Sequence, residues 1–150
     1  MALPHNDDKE YLMMNASIPL LYLALAAPIA SAAGAPQAML ENYLAKDAAG
    51  MRLQEYPAAR YFANYQDEPG WDMVTLITGY GVQPQQCGPR RCEFVVRYQL
   101  DPTRPSDEQA KPHPKGGEEK ARYVVVKQGG GWKIDSGSMR EPHVKRGALR

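Results

Sequence analysis

The side chains able to do chemistry in this 150-residue chain are few and scattered. Its three histidines, His5, His113 and His143, show no paired spacing that would hold a metal on one helix face. His5 stands in an N-terminal leader and His113 in a polar stretch. Only His143 falls near the expected core, where it reads as a surface or strand-end residue ahead of an acid–base group. There is no Gly-x-Ser-x-Gly elbow and no glycine-rich loop between a strand and a helix. Asp72 and Asp135 fall at the ends of predicted strands. A carboxylate there caps a turn, or serves as a base where apolar walls surround it. This inventory names no catalytic residue, no metal ligand and no cofactor.

Two other groups carry more information. Cys87 and Cys92 are the only cysteines, separated by Gly88-Pro89-Arg90-Arg91 and flanked by strand-like runs. The spacing is not Cys-x-x-Cys, and a metal site would have to recruit His113 or His143 from far along the chain, so the pair reads as one structural disulfide. The aromatic residues Tyr61, Tyr65, Trp71 and Tyr98 are the candidate ligand-binding residues. Tyr98 shares a strand face with Phe94, Val96 and Leu100, and Tyr61 and Tyr65 close the same space from the helical side.

The elements that must position these groups follow from periodicity. Leu40, Tyr43, Leu44, Ala48 and Met51 recur at intervals of three and four, with Glu41, Lys46 and Asp47 between them, which predicts an amphipathic helix. Pro36 suits its first turn, and Gly50 marks its end or a kink. A second short helical or irregular piece follows Pro57. Residues 71–82 and 94–100 read as two antiparallel strands, and residues 122–127 and 132–135 as two more. The second pair is joined through Gly129-Gly130-Gly131, whose glycines accept the positive φ of a tight reversal. Residues 101–120 hold four prolines, many charges and almost no apolar side chain, and read as a mobile loop outside the core.

Residues 15–33 have the outline of an export signal, with an apolar run from Ile18 to Ala27, Pro28, and small residues at Ala30 and Ala32. Cleavage is expected between Ala32 and Ala33. The acidic residues Asp7, Asp8 and Glu10 before the run are unusual for a signal, and a translation start at Met13 or Met14 removes them. A buried helix or an uncleaved anchor is disfavoured by Pro19 and Pro28. Taking away residues 1–32 removes Lys9 and those three acids from 18 basic and 17 acidic residues, leaving 17 and 14. A charge of +3 is too mild to argue for nucleic acid. The local excess at Arg140, Lys145, Arg146 and Arg150 reads as a solvated tail, with anionic envelope lipid or polymer as the alternative partner.

The segment Asp67-Glu68-Pro69-Gly70-Trp71-Asp72, the tract Val124-Val125-Val126-Lys127 and the ending Gly131-Trp132-Lys133-Ile134-Asp135, together with the helix, resemble the nuclear transport factor 2-like superfamily of cystatin-like α+β cones. The resemblance spans most of residues 36–136. It implies a helix across the concave face of a bent sheet and a ligand or partner site at the open end. It implies no activity, because that scaffold carries isomerases, cyclases, dehydratases, transport adaptors and immunity proteins.

The sequence therefore predicts a leader over residues 1–32 and one exported α+β domain over 33–150. An N-terminal helix, or two, packs on a strongly curved antiparallel sheet of about four strands. The expected role is periplasmic or secreted binding of an apolar or aromatic small ligand between helix and sheet. Alternative roles are an inhibitor, immunity or adaptor protein that binds an envelope protein, and a cofactor-free isomerase or cyclase.

Overall fold

The computed structural model describes residues 33–54, 58–65, 70–103, 105 and 108–149. The leader, including Ala32, lies outside the described residues, as does Arg150. Helix α1, Gly34–Ala48, is followed by strands β1 (Phe62–Ala63), β2 (Val74–Cys87), β3 (Arg91–Leu100), β4 (Ala110–Lys111), β5 (Glu118–Gln128), β6 (Gly131–Asp135) and β7 (His143–Lys145). The strands form one mixed sheet in the order β1-β6-β5-β3-β2-β4, with β7 also paired to β2. This overturns the expectation of about four antiparallel strands under one helix or two. One α-helix and seven strands are present among the described residues, and the piece after Pro57 is a single 3₁₀ turn, Ala58–Tyr61.

The three unforeseen strands are two or three residues long and pair in parallel, β1 with β6 and both β4 and β7 with β2. Segments that short show no periodicity. Alternate amides of β2 serve its two edges: Val74 N–H donates to Gln109 O at 2.8 Å and Thr75 N–H to Pro142 O at 2.9 Å. The region read as one loop over 101–120 thus contributes β4 and the start of β5. Ala110 is buried with Val74, Leu76 and Val144 in a small second cluster on the face of β2 opposite Ile77.

Helix α1 starts without a side-chain cap and ends at Gly50, whose φ of 84° places it in the left-handed region favoured by glycine. Its inward face carries Leu40, Tyr43, Leu44 and Ala48 onto β6, β7, β2 and β5. Opposite them lie Phe94, Val96 and Tyr98 of β3, Ala121, Tyr123 and Val125 of β5, and Ile134 of β6, all buried. Each such large apolar side chain contributes roughly 1.5–3 kcal/mol by leaving water. The expected alternation holds in β3, and the β5–β6 turn has φ of 58° and 80° at Gly129 and Gly130. Two consecutive positive φ values in a two-residue loop make a type I′ hairpin turn. On the outer face of the sheet, Glu93 pairs with Arg91 and Arg122, and Arg97 with Glu118, an exposed ladder of small energetic weight.

Cys87 and Cys92 are joined by a disulfide and are direct cross-strand partners at the end of β2 and β3, as the sequence predicts. The bond is compatible with an exported protein. No helix among the described residues is long and apolar enough to cross a membrane.

Candidate functional site

The site begins with an irregularity in β2. Ile77 pairs with Leu100, but Gly79 pairs with Gln99 and Tyr80 with Tyr98, so two residues of β2 oppose one of β3. In a regular strand, Ile77 and Tyr80 would face opposite sides; the bulge reverses the parity and turns Tyr80 toward α1. Gly79 suits this place, because a Cβ there would stand 3.2 Å from Gln99 Oε1.

Tyr80 lines a pocket of 380 Å³ between helix and sheet. The end of α1 contributes Ala45, Ala48 and Ala49, and Lys145, Gly147 and Ala148 close the opposite wall. The alanines leave the space, and a Cβ on Gly50 would come to 3.0 Å of the Ala148 Cβ at its rim. Burial, and then the charge of Glu41, raise the Tyr80 phenol above its usual pKa and keep it a neutral donor. The lining therefore offers apolar walls, one aromatic ring with a hydroxyl, and one ammonium.

Beneath the pocket lies a buried polar cluster. Tyr98 packs against Tyr80 with ring centroids 6.4 Å apart and stacks on His143 at 3.9 Å and 16°. Its hydroxyl meets that of Tyr123 at 2.9 Å. Burial pushes both phenols up, Tyr123 to about 12 and Tyr98 further. His143 is 1% exposed; its amide donates to Asp47 Oδ2 at 3.1 Å, and its ring contacts Glu141 O at 2.8 Å and Glu119 Oε1 at 3.2 Å. Both ring partners are oxygen atoms that can only accept.

Asp47 is also 1% exposed, and its carboxylate accepts from Arg52 Nη1 at 3.4 Å. Arg52, its side chain 2% exposed, further donates to Tyr43 Oη at 3.2 Å and to Arg140 O at 2.6 Å. Glu141 completes the cluster by accepting from Thr75 Oγ1 at 2.6 Å and from Lys111. Burial raises the Glu141 pKa, but those hydrogen bonds outweigh it and hold the carboxyl below its usual range. The cluster joins α1, β2, β3, β5 and β7.

The predicted ligand residues are distributed along this construction. Tyr61 is buried against Tyr43 at 5.5 Å, and Tyr65 packs on Phe62 at 6.2 Å. Tyr98 forms the floor below Tyr80, and Trp71 borders a separate surface pocket with Arg52. Tyr43 connects Tyr61, Phe62 and Tyr123. The four residues do not line one cavity.

Two placements correct the sequence reading. His143 lies at a strand start as expected, but inside the protein, and Asp47 is buried on the apolar face of α1. Asp72 is exposed and Asp135 half-buried, and neither lines the helix–sheet pocket. The terminal basic group is partly engaged, with Arg146 bound to Asp101 at 3.0 Å and to Thr103 O at 2.8 Å. Sequence reasoning missed Tyr80 and read Lys145 as part of the basic tail; the run Gly79-Tyr80-Gly81 inside a strand pattern was the available signal for the tyrosine, since glycine there marks a bulge. Among the described residues, no three His, Cys, Asp or Glu side chains are grouped to hold a metal ion. No family model matches the chain, and neither a curated protein nor a solved structure matches it.

Proposed function

We propose that this chain is an exported binding domain that takes an amphipathic small molecule between α1 and the sheet, on a plan related to the nuclear transport factor 2-like domains. The pocket of 380 Å³ lined by Ala45, Ala48, Ala49, Tyr80 and Lys145 carries the reading. Its volume falls within the range of small-ligand sites, roughly 300–1,000 Å³. An aromatic or aliphatic body would rest on the alanines and the Tyr80 ring, and an anionic group would meet the Lys145 ammonium. Binding is favoured over chemistry because the lining is mostly alanine and glycine, with one phenol and one ammonium as its polar groups.

Anilinonaphthalene sulfonate, an aromatic body with one anionic group, tests the site by fluorescence titration. Ala45 is exposed on α1, so Ala45→Phe fills the pocket without touching the core. Saturable binding that is lost in Ala45→Phe and weakened about fivefold in Lys145→Gln is expected. Unchanged binding by Ala45→Phe refutes the assignment. The export component is checked by the mass of the protein recovered from its host, which should begin at Ala33 and carry the disulfide.

A further inference from the structure

Leu53 and Trp71 are the large apolar side chains left exposed among the described residues, at 40% and 36%. Both line one surface pocket of 280 Å³, well separated in lining from the helix–sheet pocket and completed by Arg52, Asp72, Met73 and Pro142 among others. Single exposed apolar residues need no explanation, but two converging on one concavity do.

The polar members of this pocket differ in what they have left to give. The Arg52 guanidinium carbon lies 5.9 Å from the Trp71 ring centroid, and its side chain is buried with N–H groups directed to Asp47, Tyr43 and Arg140. It stands beside the indole, with the Asp47 carboxylate 3.4 Å from its Nη1. Asp72 is exposed, and its carboxylate engages no partner among the described residues. The outward-facing part of the pocket therefore combines an indole, a free negative charge and the apolar walls of Leu53, Met73 and Pro142.

We propose that this pocket binds an alkylammonium group, with the cation beside Asp72 and the Trp71 indole and the attached carbons against Leu53, Met73 and Pro142. Indole is the best aromatic partner for an ammonium, and a carboxylate adjoining it adds charge attraction. An anionic guest would be repelled by Asp72. A neutral apolar guest would desolvate that carboxylate without replacing its hydrogen bonds.

The test uses nitrogen–proton NMR of the intact protein, following the two indole signals, with Trp71→Phe to assign them. The probes are choline, dimethylbutanol as its uncharged isostere, and N-acetyl-lysine methylamide. Saturable movement of the Trp71 signal by choline or the lysine derivative, and none by dimethylbutanol, is expected. Whichever cation binds more tightly distinguishes a free ammonium compound from a lysine side chain as the source. Asp72→Asn, at an exposed position, should leave the remaining spectrum in place and weaken cation binding about fivefold. Equal binding of dimethylbutanol and choline, unchanged affinity in Asp72→Asn, or no saturable shift with either cation overturns the proposal.

Discussion

Replacing Asp47 by alanine tests the buried cluster most directly. The carboxylate is 1% exposed, balances an Arg52 side chain that is 2% exposed, and accepts the His143 amide at 3.1 Å. Asp47→Ala takes from a buried guanidinium the carboxylate beside it and leaves a backbone N–H without its acceptor. Breaking a buried pair from one side costs about 3–5 kcal/mol. A domain of this size has a total stability of about 5–15 kcal/mol, so the loss is a large share. With a urea m-value of about 1.5 kcal/mol/M, the unfolding midpoint should fall by about 2 M or more. The informative experiment is a double-mutant cycle with Arg52→Met, followed by far-UV circular dichroism in urea. Removing the arginine as well withdraws the buried charge that Asp47 faced, so the double variant should be more stable than the summed single losses predict by at least about 1.5 kcal/mol. Additivity within about 0.5 kcal/mol, or a loss below about 1 kcal/mol in Asp47→Ala, refutes the argument that charge pairing organises this cluster.

Three further outcomes follow from the same geometry. Tyr98→Phe and Tyr123→Phe should each cost about 1–3 kcal/mol in chemical unfolding, and the double variant less than their sum, because the single changes strand one buried hydroxyl of the 2.9 Å pair. Glu141 is held below its usual pKa in the folded state, so its contribution is complete above the unfolded value of about 4.3 and is lost as pH falls through the folded value. Glu141→Gln should therefore flatten the decline in melting temperature between about pH 5 and 3. Reducing the Cys87–Cys92 bond, which closes a loop with a sequence separation of 5, should cost about 2 kcal/mol, read as a shift in urea midpoint with and without dithiothreitol.

The parts of this fold written in periodic or turn-specific residues were legible in the sequence. The alternation of Phe94, Val96 and Tyr98, the Gly129-Gly130 turn, the helix ending at Gly50 and the cysteine pair all express local rules. What escaped depends on tertiary partners. Nothing in Phe62-Ala63, Ala110-Lys111 or His143-Val144-Lys145 announces a strand, because their register is supplied by β6 and β2. Asp47 looks like a solvent-side residue until Arg52 and the His143 amide are brought to it from residues far along the chain or across a turn. The lining of the pocket beside Tyr80 holds none of the four aromatic residues singled out in the sequence. The bulge before Tyr80 changes which side chains face the helix, and a strict two-residue alternation carried through Gly79 assigns that tyrosine to the wrong side.

The β2–β3 ribbon also bears on how the protein has to be made. Residues 79–87 of β2 pair with β3 on one side, and no other described strand covers that length on the other. Pro84, which has no N–H to give, and the bulge beside it blunt the open edge. The disulfide does something these cannot: by tying Cys87 to its own cross-strand partner, it forbids the ribbon to slide by a residue. Synthesis in a reducing cytoplasm removes that lock while leaving the edge available to neighbouring molecules. Yield of monomer should therefore follow the redox state of the compartment in which the chain folds, and a preparation routed through an oxidising compartment should resist aggregation that a cytoplasmic one does not.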